Sequence, residues 1–367
     1  MDRESLKFAA LETAQVVPVV GSKSHTAVAR HLHSLGTPHA FRALGGLLSS
    51  GLLPNIGSNP SIGTYVHNEM WMHLIPDTGA VKGNPSSYIA RSNQWHLVDF
   101  FVLLTVYRSG TPGAEKEKLE LRVVVNSSEQ AAPSTIKDFS HFILALWNLW
   151  GGKALHFKGV EDYLLDSLPG VQCSTRIQCL NYSVDSYDWC ADFDAGRFSD
   201  SSVAQDLDLH ISQIMPHDID DVRGKNVISY DREYLEHCCP TSTCIRRSDT
   251  GAPVSWAYCH ADYQIGVVLT LSEYRSRGLA KYVLQNLGDK MIQLFAEKMS
   301  LLYDTNPPAY PFKLQMVTEL TNVNTQRLFA RFGLKPVARV SWAECTFDSK
   351  EVSTPAAHFQ PQVLVAF

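Results

Sequence analysis

The stretch Thr270–Lys281, TLSEYRSRGLAK, is the most informative part of the sequence. The apolar, β-branched run before it, Tyr263–Thr270 (YQIGVVLT), predicts a buried strand. Apolar residues at helical spacing follow it and predict a long amphipathic helix that begins near Arg277. These apolar positions are Leu279, Ala280, Val283, Leu284, Leu287, Met291 and Phe295. The stretch is therefore a turn that joins the end of a strand to the start of a helix.

Neighbouring segments predict that this strand belongs to a mixed sheet. Three strands ending at Thr270 are separated by short turn-like segments, which indicates an antiparallel meander. From about residue 206 onward the predicted order is βααβββαβαββ. The other predicted strands are Leu207–Ile214, Thr243–Arg247, Val254–His260, Phe312–Val317, Val337–Trp342 and Gln362–Phe367, and the other predicted helices are Met215–Val222, Asp231–Cys238 and Asn322–Phe332.

The first half of the chain predicts a separate α/β domain. Val98–Tyr107 and Leu119–Val125 read as a hairpin, because both are rich in β-branched and aromatic residues and a charged, glycine-containing loop divides them. A helix follows, with Thr135 and Asp138 resembling its N-terminal cap. Its aromatic residues Phe139, Trp147 and Trp150 fall at helical spacing, which favours core packing over ligand stacking.

A polar, acidic segment between residues 185 and 208 has few residues able to anchor a core. We place the domain boundary there, with domains at 1–205 and 206–367. A length of 367 residues agrees with two domains.

Composition narrows the range of functions. The chain has 37 acidic and 32 basic residues, a net charge of −5, which disfavours partners held by phosphate neutralisation, such as duplex nucleic acid. Hydrophobic residues make up 45% and charged residues 19%, as expected for a folded, soluble protein. No apolar run is long enough to span a membrane, and the acidic start is unlike a presequence, so we expect a cytoplasmic protein.

The turn has the features of an anion site. The start of a helix exposes backbone N–H groups with partial positive charge, and a glycine there allows close approach to the backbone. Arg275 and Arg277 add fixed charge beside Gly278. Such a turn suits a pyrophosphate, while the strand edge suits an extended arm that contains amides, and coenzyme A has both. The simpler interpretation is a basic surface turn in which Gly278 only allows the bend.

At these residues the sequence resembles the GNAT superfamily of acyltransferases. Arg275-Ser276-Arg277-Gly278-Leu279-Ala280 matches its Q/R-x-x-G-x-G/A signature. The runs GAPVSWAYCHADYQIG and TLSEYRSRGLAKYV are similar to those of the glycine N-acyltransferase family. A second motif, TNVNTQRLFARFGLKPV, resembles the superfamily's N-x-x-x-x-x-L-Y-x-x-x-G-F segment and puts Asn322 in the asparagine position. The resemblance implies a mostly antiparallel twisted GNAT sheet with flanking helices in 206–367. The N-terminal half matches in outline only, as a divergent domain or a degenerate GNAT-like half.

The resemblance implies an acyl-coenzyme A co-substrate and an acceptor such as glycine or a similar small amine. It implies that the backbones of Leu269, Thr270 and Leu271 hold pantetheine and polarise the thioester. The pyrophosphate would lie at Arg275, Ser276, Arg277, Gly278, Leu279 and Ala280, with Asn322 near pantetheine. It also leaves the mitochondrial matrix open as a location.

The sequence departs from the family at both proton-transfer positions. Gln264 stands where glycine N-acyltransferases carry a glutamate proposed as the general base. Phe329 stands where the superfamily often has a tyrosine acid. The weak candidates for the base are Gln264 itself, Asp262, His260 and Glu273, and a water chain that ends at bulk solvent is the alternative.

Two other functions therefore stay open. One is an N-acetyltransferase that acts on a peptide amine or an arylalkylamine, and the other is a protein that binds acyl-coenzyme A without turnover. Two metal sites can also be drawn, but their spacing differs from that of structural zinc sites, so we predict ordinary thiols and no metal. The residues concerned are His237, Cys238, Cys239 and Cys244 for one site and Cys173, Cys179 and Cys190 for the other.

Overall fold

A computed structural model describes most of the chain as an α/β protein. The described residues are 16–19, 22–49, 52–53, 65–74, 98–109, 116–125, 131–191, 202–226, 228, 230–260, 262–303 and 312–348. The strands are β1 (Val16–Pro18), β2 (Tyr65–Leu74), β3 (Val98–Ser109), β4 (Lys116–Val125), β5 (Leu155–Glu161), β6 (Val171–Asp185), β7 (Leu209–Ser212), β8 (Ser242–Arg247), β9 (Pro253–Cys259), β10 (Gln264–Thr270), β11 (Lys313–Glu319) and β12 (Lys335–Phe347). The α-helices are α1 (Ser22–Leu35), α2 (Pro38–Ser49), α3 (Pro133–Leu149), α4 (Asp162–Asp166), α5 (Ser186–Ala191), α6 (Ser202–Asp206), α7 (Ile219–Lys225), α8 (Arg232–Cys238), α9 (Leu279–Leu302) and α10 (Val323–Arg331).

The chain forms two compact units, and each is discontinuous in sequence. Unit one comprises residues 1–24, 67–178 and 340–367, and unit two comprises 25–66 and 179–339. These units divide the chain differently from the predicted boundary at 205 and 206. An N-terminal segment joins unit two because Phe41 of α2 packs edge-on against Phe295 and Phe312. The division into domains 1–205 and 206–367 stays a prediction about the family.

Unit one contains strands in the order β1-β2-β3-β4-β5-β12. The predicted hairpin is confirmed, because β3 and β4 pair in antiparallel fashion from Phe100–Val125 to Ser109–Lys116. Helix α3 packs its apolar stripe on this sheet, with Phe139 edge-on to Phe100 at 5.8 Å. The prediction of core aromatics on α3 is therefore confirmed. Its predicted cap is wrong, since α3 begins at Pro133 after Ala132 without a side-chain cap, and proline suits the first helical position.

Unit two contains strands in the order β6-β11-β10-β9-β8-β7, to which β6 contributes residues 179–185. Strands β10 and β11 are parallel, and the other pairs with a register are antiparallel. The predicted fold class, a mixed and mostly antiparallel sheet with flanking helices, is confirmed. The predicted strand Gln362–Phe367 lies outside the described residues.

The two faces of the unit-two sheet carry different helices. We call one the α8 face: Trp256 and Tyr258 pack there with Leu235 of α8 and Val222 of α7. The other is the α9 face, where buried Thr243 donates its hydroxyl to Asn286 of α9 at 3.0 Å. Because side chains alternate along a strand, each position of β8 to β11 can be assigned to one face.

A tryptophan anchors the segment that the sequence predicts to be a polar boundary. Trp189 of α5 is buried and stacks on Phe332 with ring centroids 5.5 Å apart. It lies over Gly288 of α9, where an added Cβ would come within 2.5 Å of the indole. The expectation of few core anchors between residues 185 and 208 is therefore wrong at this residue, because one large ring fills a notch in α9.

A buried ion pair joins β8 to the segment that precedes α7. Arg246 of β8 donates to Asp218 at 3.0 Å and also to the carbonyls of Gln213 and Gly251 and the Ser212 hydroxyl. Burial alone would raise the pKa of the Asp218 carboxyl, but hydrogen bonds from Arg246 and the Met215 N–H outweigh it and lower that pKa. Asp218 is thus held ionised in the core.

We expect Asp218→Asn to lower the free energy of unfolding by about 3–5 kcal/mol, because it leaves the Arg246 charge buried without its partner. Since the pKa of folded Asp218 is lowered, its contribution is fully present above the ordinary pKa of about 4 and is lost as the pH falls further. Urea unfolding at pH 7 and at lower pH measures both effects. Asp220→Asn is the control, because Asp220 is exposed and its surface ion pair with Arg232 contributes little to stability. Equal losses in the two variants would contradict this account.

Candidate active site

Strands β10 and β11 separate shortly after they meet. Their parallel pairing covers only Gln264 with Gln315 and Ile265 with Met316. On its other side β10 stays paired with β9, but the register shifts between Gly266 and Leu269, and Val267 takes a positive φ of 55°. The bulge turns β10 away from β11, so residues 267–270 do not pair with β11. Such an edge can take an extended, amide-containing ligand.

The three residues expected to hold pantetheine differ in the use of their backbones. Thr270 accepts a hydrogen bond on its carbonyl from Arg275 Nε at 3.1 Å, and its hydroxyl lies 2.8 Å from that of Ser255. The Leu269 carbonyl accepts from the same Ser255 hydroxyl at 3.2 Å. The Leu271 N–H already donates to the Val254 carbonyl at 2.9 Å, so it is not available to a thioester.

The turn after β10 forms an open cradle at the start of α9. Ser276 and Gly278 take positive φ values of 62° and 78°, and Gly278 is the residue before the first helical position. An added Cβ on Gly278 would meet nothing within 4 Å. The N–H groups at Leu279 and Ala280 have no acceptor within the helix because they lie in its first turn. This arrangement can hold an anion against the backbone.

The two arginines of the turn are exposed on its outer side. Arg275 is tethered through its bond to Thr270, and the Arg277 guanidinium lies 6.0 Å from the Tyr274 ring centroid. Neither is locked in a buried ion pair, so both charges stay accessible to a ligand. Asn322 instead caps α10, since its Oδ1 accepts from the Thr325 N–H at 3.1 Å. That bond gives Asn322 a structural role beside the predicted one.

Among the base candidates, Glu273 is exposed in the short 3₁₀ turn Ser272–Tyr274. Hydrogen bonds from its own backbone N–H and from the Ser272 hydroxyl lower its pKa, which makes it a weak base. Asp262 is buried in the turn between β9 and β10. Its carbonyl contacts Gly45 of α2, where a Cβ would come within 2.5 Å. Glu273 therefore lies in the turn after β10, and Asp262 lies in a packed β-turn between β9 and β10.

His260 is the candidate best placed for proton transfer. Its imidazole is buried on the α8 face, stacks on Tyr234, and has Nδ1 2.7 Å from the Tyr234 hydroxyl. Its Nε2 lies over Gly266, so close that an added Cβ there would be 2.3 Å away. His260 Nε2 therefore lies beside the point where β10 leaves β11.

Gln264 and Phe329 lie on opposite faces of the unit-two sheet. Gln264 is on the α8 face, two residues before Gly266, and is buried. Phe329 of α10 is buried against Tyr182 of β6, with ring centroids 5.4 Å apart. Burial raises the pKa of Tyr182, which therefore keeps its proton at neutral pH. Sequence reasoning missed Tyr182 and Tyr234 because both come from elements far away in the chain.

The cysteines behave as buried thiols within the described residues. Burial raises the pKa of Cys238 to about 12 and those of Cys239 and Cys244 to about 11, which makes these thiols unreactive. Cys173 lies near Cys345 in unit one, Cys179 is buried, and the Cys190 side chain is outside the described part. Across the residues the structure describes, no three His, Cys, Asp or Glu side chains form a group that could hold a metal ion. Nor is any helix there long and apolar enough to cross a membrane.

Comparisons with known proteins give a likeness of fold. No protein-family model matches the sequence, and no curated protein matches it. A Drosophila melanogaster protein solved by X-ray crystallography is similar with a TM-score of 0.56 and 15% identity, over 90% of this chain and 98% of that one. The two chains therefore share a fold.

Weaker structural likenesses carry GNAT descriptions. A tandem GNAT protein from the clavulanic acid biosynthesis pathway matches with a TM-score of 0.46 and 11% identity, over 90% of this chain and 98% of that one. A GNAT-family acetyltransferase from Colwellia psychrerythraea matches with a TM-score of 0.35 and 13% identity, over 68% of this chain and 85% of that one.

We expect Gly266→Ala to destabilise unit two by about 1–3 kcal/mol, because the new methyl group overlaps His260 Nε2 and the stacked imidazole has little room to move. Thermal and urea unfolding measure the effect. Gly224→Ala is the matched control: Gly224 lies in α7 with nothing within 4 Å of its added Cβ, so alanine there should raise stability by about 0.5–1 kcal/mol. A Gly266→Ala protein as stable as the wild type would mean that His260 does not occupy this position.

Proposed function

We propose that this protein is an acyl-coenzyme A-dependent N-acyltransferase that acylates the amino group of glycine or a similar small amine. The observation that carries the proposal is the separation of β10 from β11 directly before an open, glycine-containing helix start. An extended thiol-bearing arm fits the strand edge, and its pyrophosphate fits the turn. The motif resemblance at Arg275–Ala280 supports the same assignment.

Each part of the turn would contribute a different contact. The helix start at Gly278, Leu279 and Ala280 supplies backbone N–H groups, and Arg275 and Arg277 supply charge-assisted hydrogen bonds to phosphate oxygens. The edge of β10 at residues 267–270 would hold the pantetheine amides and orient the thioester carbonyl. Positioning of this kind, and donors aimed at the developing oxyanion, account for much of the rate in acyl transfer.

The reaction would need one proton acceptor and one proton donor. As the neutral amine attacks the thioester carbonyl, an N–C bond forms and the C–S bond breaks. We assign His260 Nε2 as the acceptor of the amine proton, with Tyr234 orienting the imidazole through Nδ1. The Tyr182 phenol, next to Phe329, would donate its proton to the leaving thiolate, and the proton held by His260 would then pass through solvent to the Tyr182 phenolate. Proton and leaving group are then both accounted for.

Arg275→Ala and Arg277→Ala should each weaken coenzyme A binding by roughly 10- to 100-fold, because each removes a charge-assisted contact to phosphate. Isothermal titration with coenzyme A measures the change. A thermal shift in the wild type is the prior test, since ligand at 100 times its Kd adds about 2.7 kcal/mol. Arg339→Ala removes the same charge from exposed β12 and should leave binding unchanged. The absence of any coenzyme A effect on the wild type would refute the proposal.

His260→Gln should lower kcat by roughly 100-fold or more while the coenzyme A Kd stays close to that of the wild type, because general-base catalysis contributes on this scale. A thiol-release assay with acetyl and benzoyl thioesters and a panel of amines measures it. Tyr182→Phe in the same assay tests the proton donor and should reduce kcat without changing Kd. Unchanged turnover in His260→Gln would remove His260 from the mechanism.

The same assay separates the alternatives. Gln264 and Phe329 in place of proton-transfer residues favour a second candidate, a protein that binds acyl-coenzyme A without turnover. Binding with no thiol release for any amine would support that candidate. Turnover with only peptide or arylalkylamine acceptors would support an N-acetyltransferase instead.

A further inference from the structure

A row of uncharged polar side chains crosses three strands on the α8 face of unit two. Gln264 pairs with Gln315, Gln315 pairs with Ser183, and Asn181 lies two residues along β6. All four side chains are more than nine-tenths buried. Because Gly266 pairs with Tyr258 of the α8 face, Gln264 and its paired residues share that face. We call these four residues the polar row.

Four polar atoms of the polar row, on Asn181, Ser183 and Gln264, have no hydrogen-bond partner. Asn181 Nδ2 donates to Gln315 Oε1 at 3.2 Å. In contrast, Asn181 Oδ1, Ser183 Oγ and both amide atoms of Gln264 are buried and have no hydrogen-bond partner. Buried polar atoms are almost always paired in native proteins, because an unpaired one forfeits its hydration. Four such atoms in one row point to a ligand that pairs with them.

The polar row leads to the candidate active site. Gln264 is the last residue but one of β10 to pair with β11 before the strands separate. The His260 N–H donates to the Gln264 carbonyl at 2.7 Å, and the His260 ring lies over Gly266, which follows on the same face. A molecule on the polar row would therefore lie beside the proposed proton acceptor.

The chemistry of the polar row specifies a neutral group. The free capacity comprises two acceptors, Asn181 Oδ1 and Gln264 Oε1, and two donors, the Gln264 amide and the Ser183 hydroxyl. None of the four side chains carries charge, and Lys313, on the same strand as Gln315, is already paired with Asp185. A carboxylate buried here would find no free cation on the described strands β6, β10 and β11, which is costly. A carboxamide or peptide amide offers both a carbonyl and an N–H to match this set.

We propose that the polar row binds the acceptor through a neutral amide next to its reactive amine, so that an amino-acid amide is preferred to the free amino acid. This inference rests on the proposed acyltransferase function and narrows its acceptor class. Glycinamide and glycine are the matched pair of probes, since they differ only in the group that the polar row would read.

The experiment measures kcat/KM for glycinamide, glycine and ethylamine at saturating acetyl-coenzyme A, with each value corrected for the fraction of neutral amine. We expect glycinamide to exceed glycine by at least roughly 10-fold in the wild type. Gln264→Met and Asn181→Leu should reduce that ratio to about 1 to 3, because a site built to hydrogen-bond a group discriminates through it. A preference for glycine, or a ratio unchanged in both variants, would overturn the inference.

A stability measurement distinguishes a ligand site from a structural network. Gln264→Met removes two unpartnered polar atoms at similar volume, so the melting temperature without ligand should rise or stay the same. Thr243→Val on the α9 face is the control: it breaks a hydrogen bond that is made, so its melting temperature should fall while the acceptor ratio is unchanged. A clear fall in the melting temperature of the Gln264→Met protein would show that Gln264 has a structural role.

Calorimetric binding of glycinamide and of glycine, with coenzyme A present, separates the two proposals because binding does not require turnover. Tighter binding of glycinamide without thiol release would support the polar row and contradict the acyltransferase function. Thiol release together with tighter binding of glycine would support the acyltransferase function and contradict the proposal for the polar row.

Discussion

The limited pairing of β10 with β11 is the constraint from which the rest of unit two follows. Parallel neighbours cannot be joined by a tight turn, so the chain must cross over through a helix, here the 24-residue α9. A crossover helix starts at the carboxyl end of the first strand, which is where α/β sheets place their ligands. The parallel pairing therefore explains the helix start at Gly278, and the bulge of β10 opens the strand edge beside it after Ile265.

The α8 face contains two kinds of buried polarity. Arg246 and Asp218 satisfy each other and the backbone around them, and this pair fixes β8 to the turn before α7. The polar row, a few strands away, leaves Asn181 Oδ1, Ser183 Oγ and both amide atoms of Gln264 without a hydrogen-bond partner. Natural sequences break the rules of polar satisfaction mainly at functional sites. On a single face, Arg246 and Asp218 stabilise the fold, whereas the polar row supplies the groups that we propose bind the acceptor.

Local sequence patterns predicted much of this structure. Strands β8 to β11 and helix α9 were predictable because each has its own periodicity, and the cradle was predictable because arginines and glycine adjoin in sequence. The contacts that decide chemistry come from distant parts of the chain: Tyr234 on His260, Tyr182 on Phe329, and Trp189 in the notch at Gly288. No spacing in the sequence encodes these pairs. Strand β6 also escaped prediction, because its polar, partly exposed first half lacks a clear alternation.

Gln264 stands where the family resemblance predicts a glutamate, and the polar row bears on that difference. A carboxylate at position 264 would be buried beside Gln315 and Asn181 with no cation on the neighbouring strands free to compensate it. Glutamine keeps the shape and removes the charge, which suits a neutral acceptor but forfeits the base. In the proposed mechanism His260 accepts the proton from the adjoining turn, where Gly266 leaves room for its ring. The presence of glutamine at position 264 is therefore explained only when the proposed base and the proposed acceptor group are considered together.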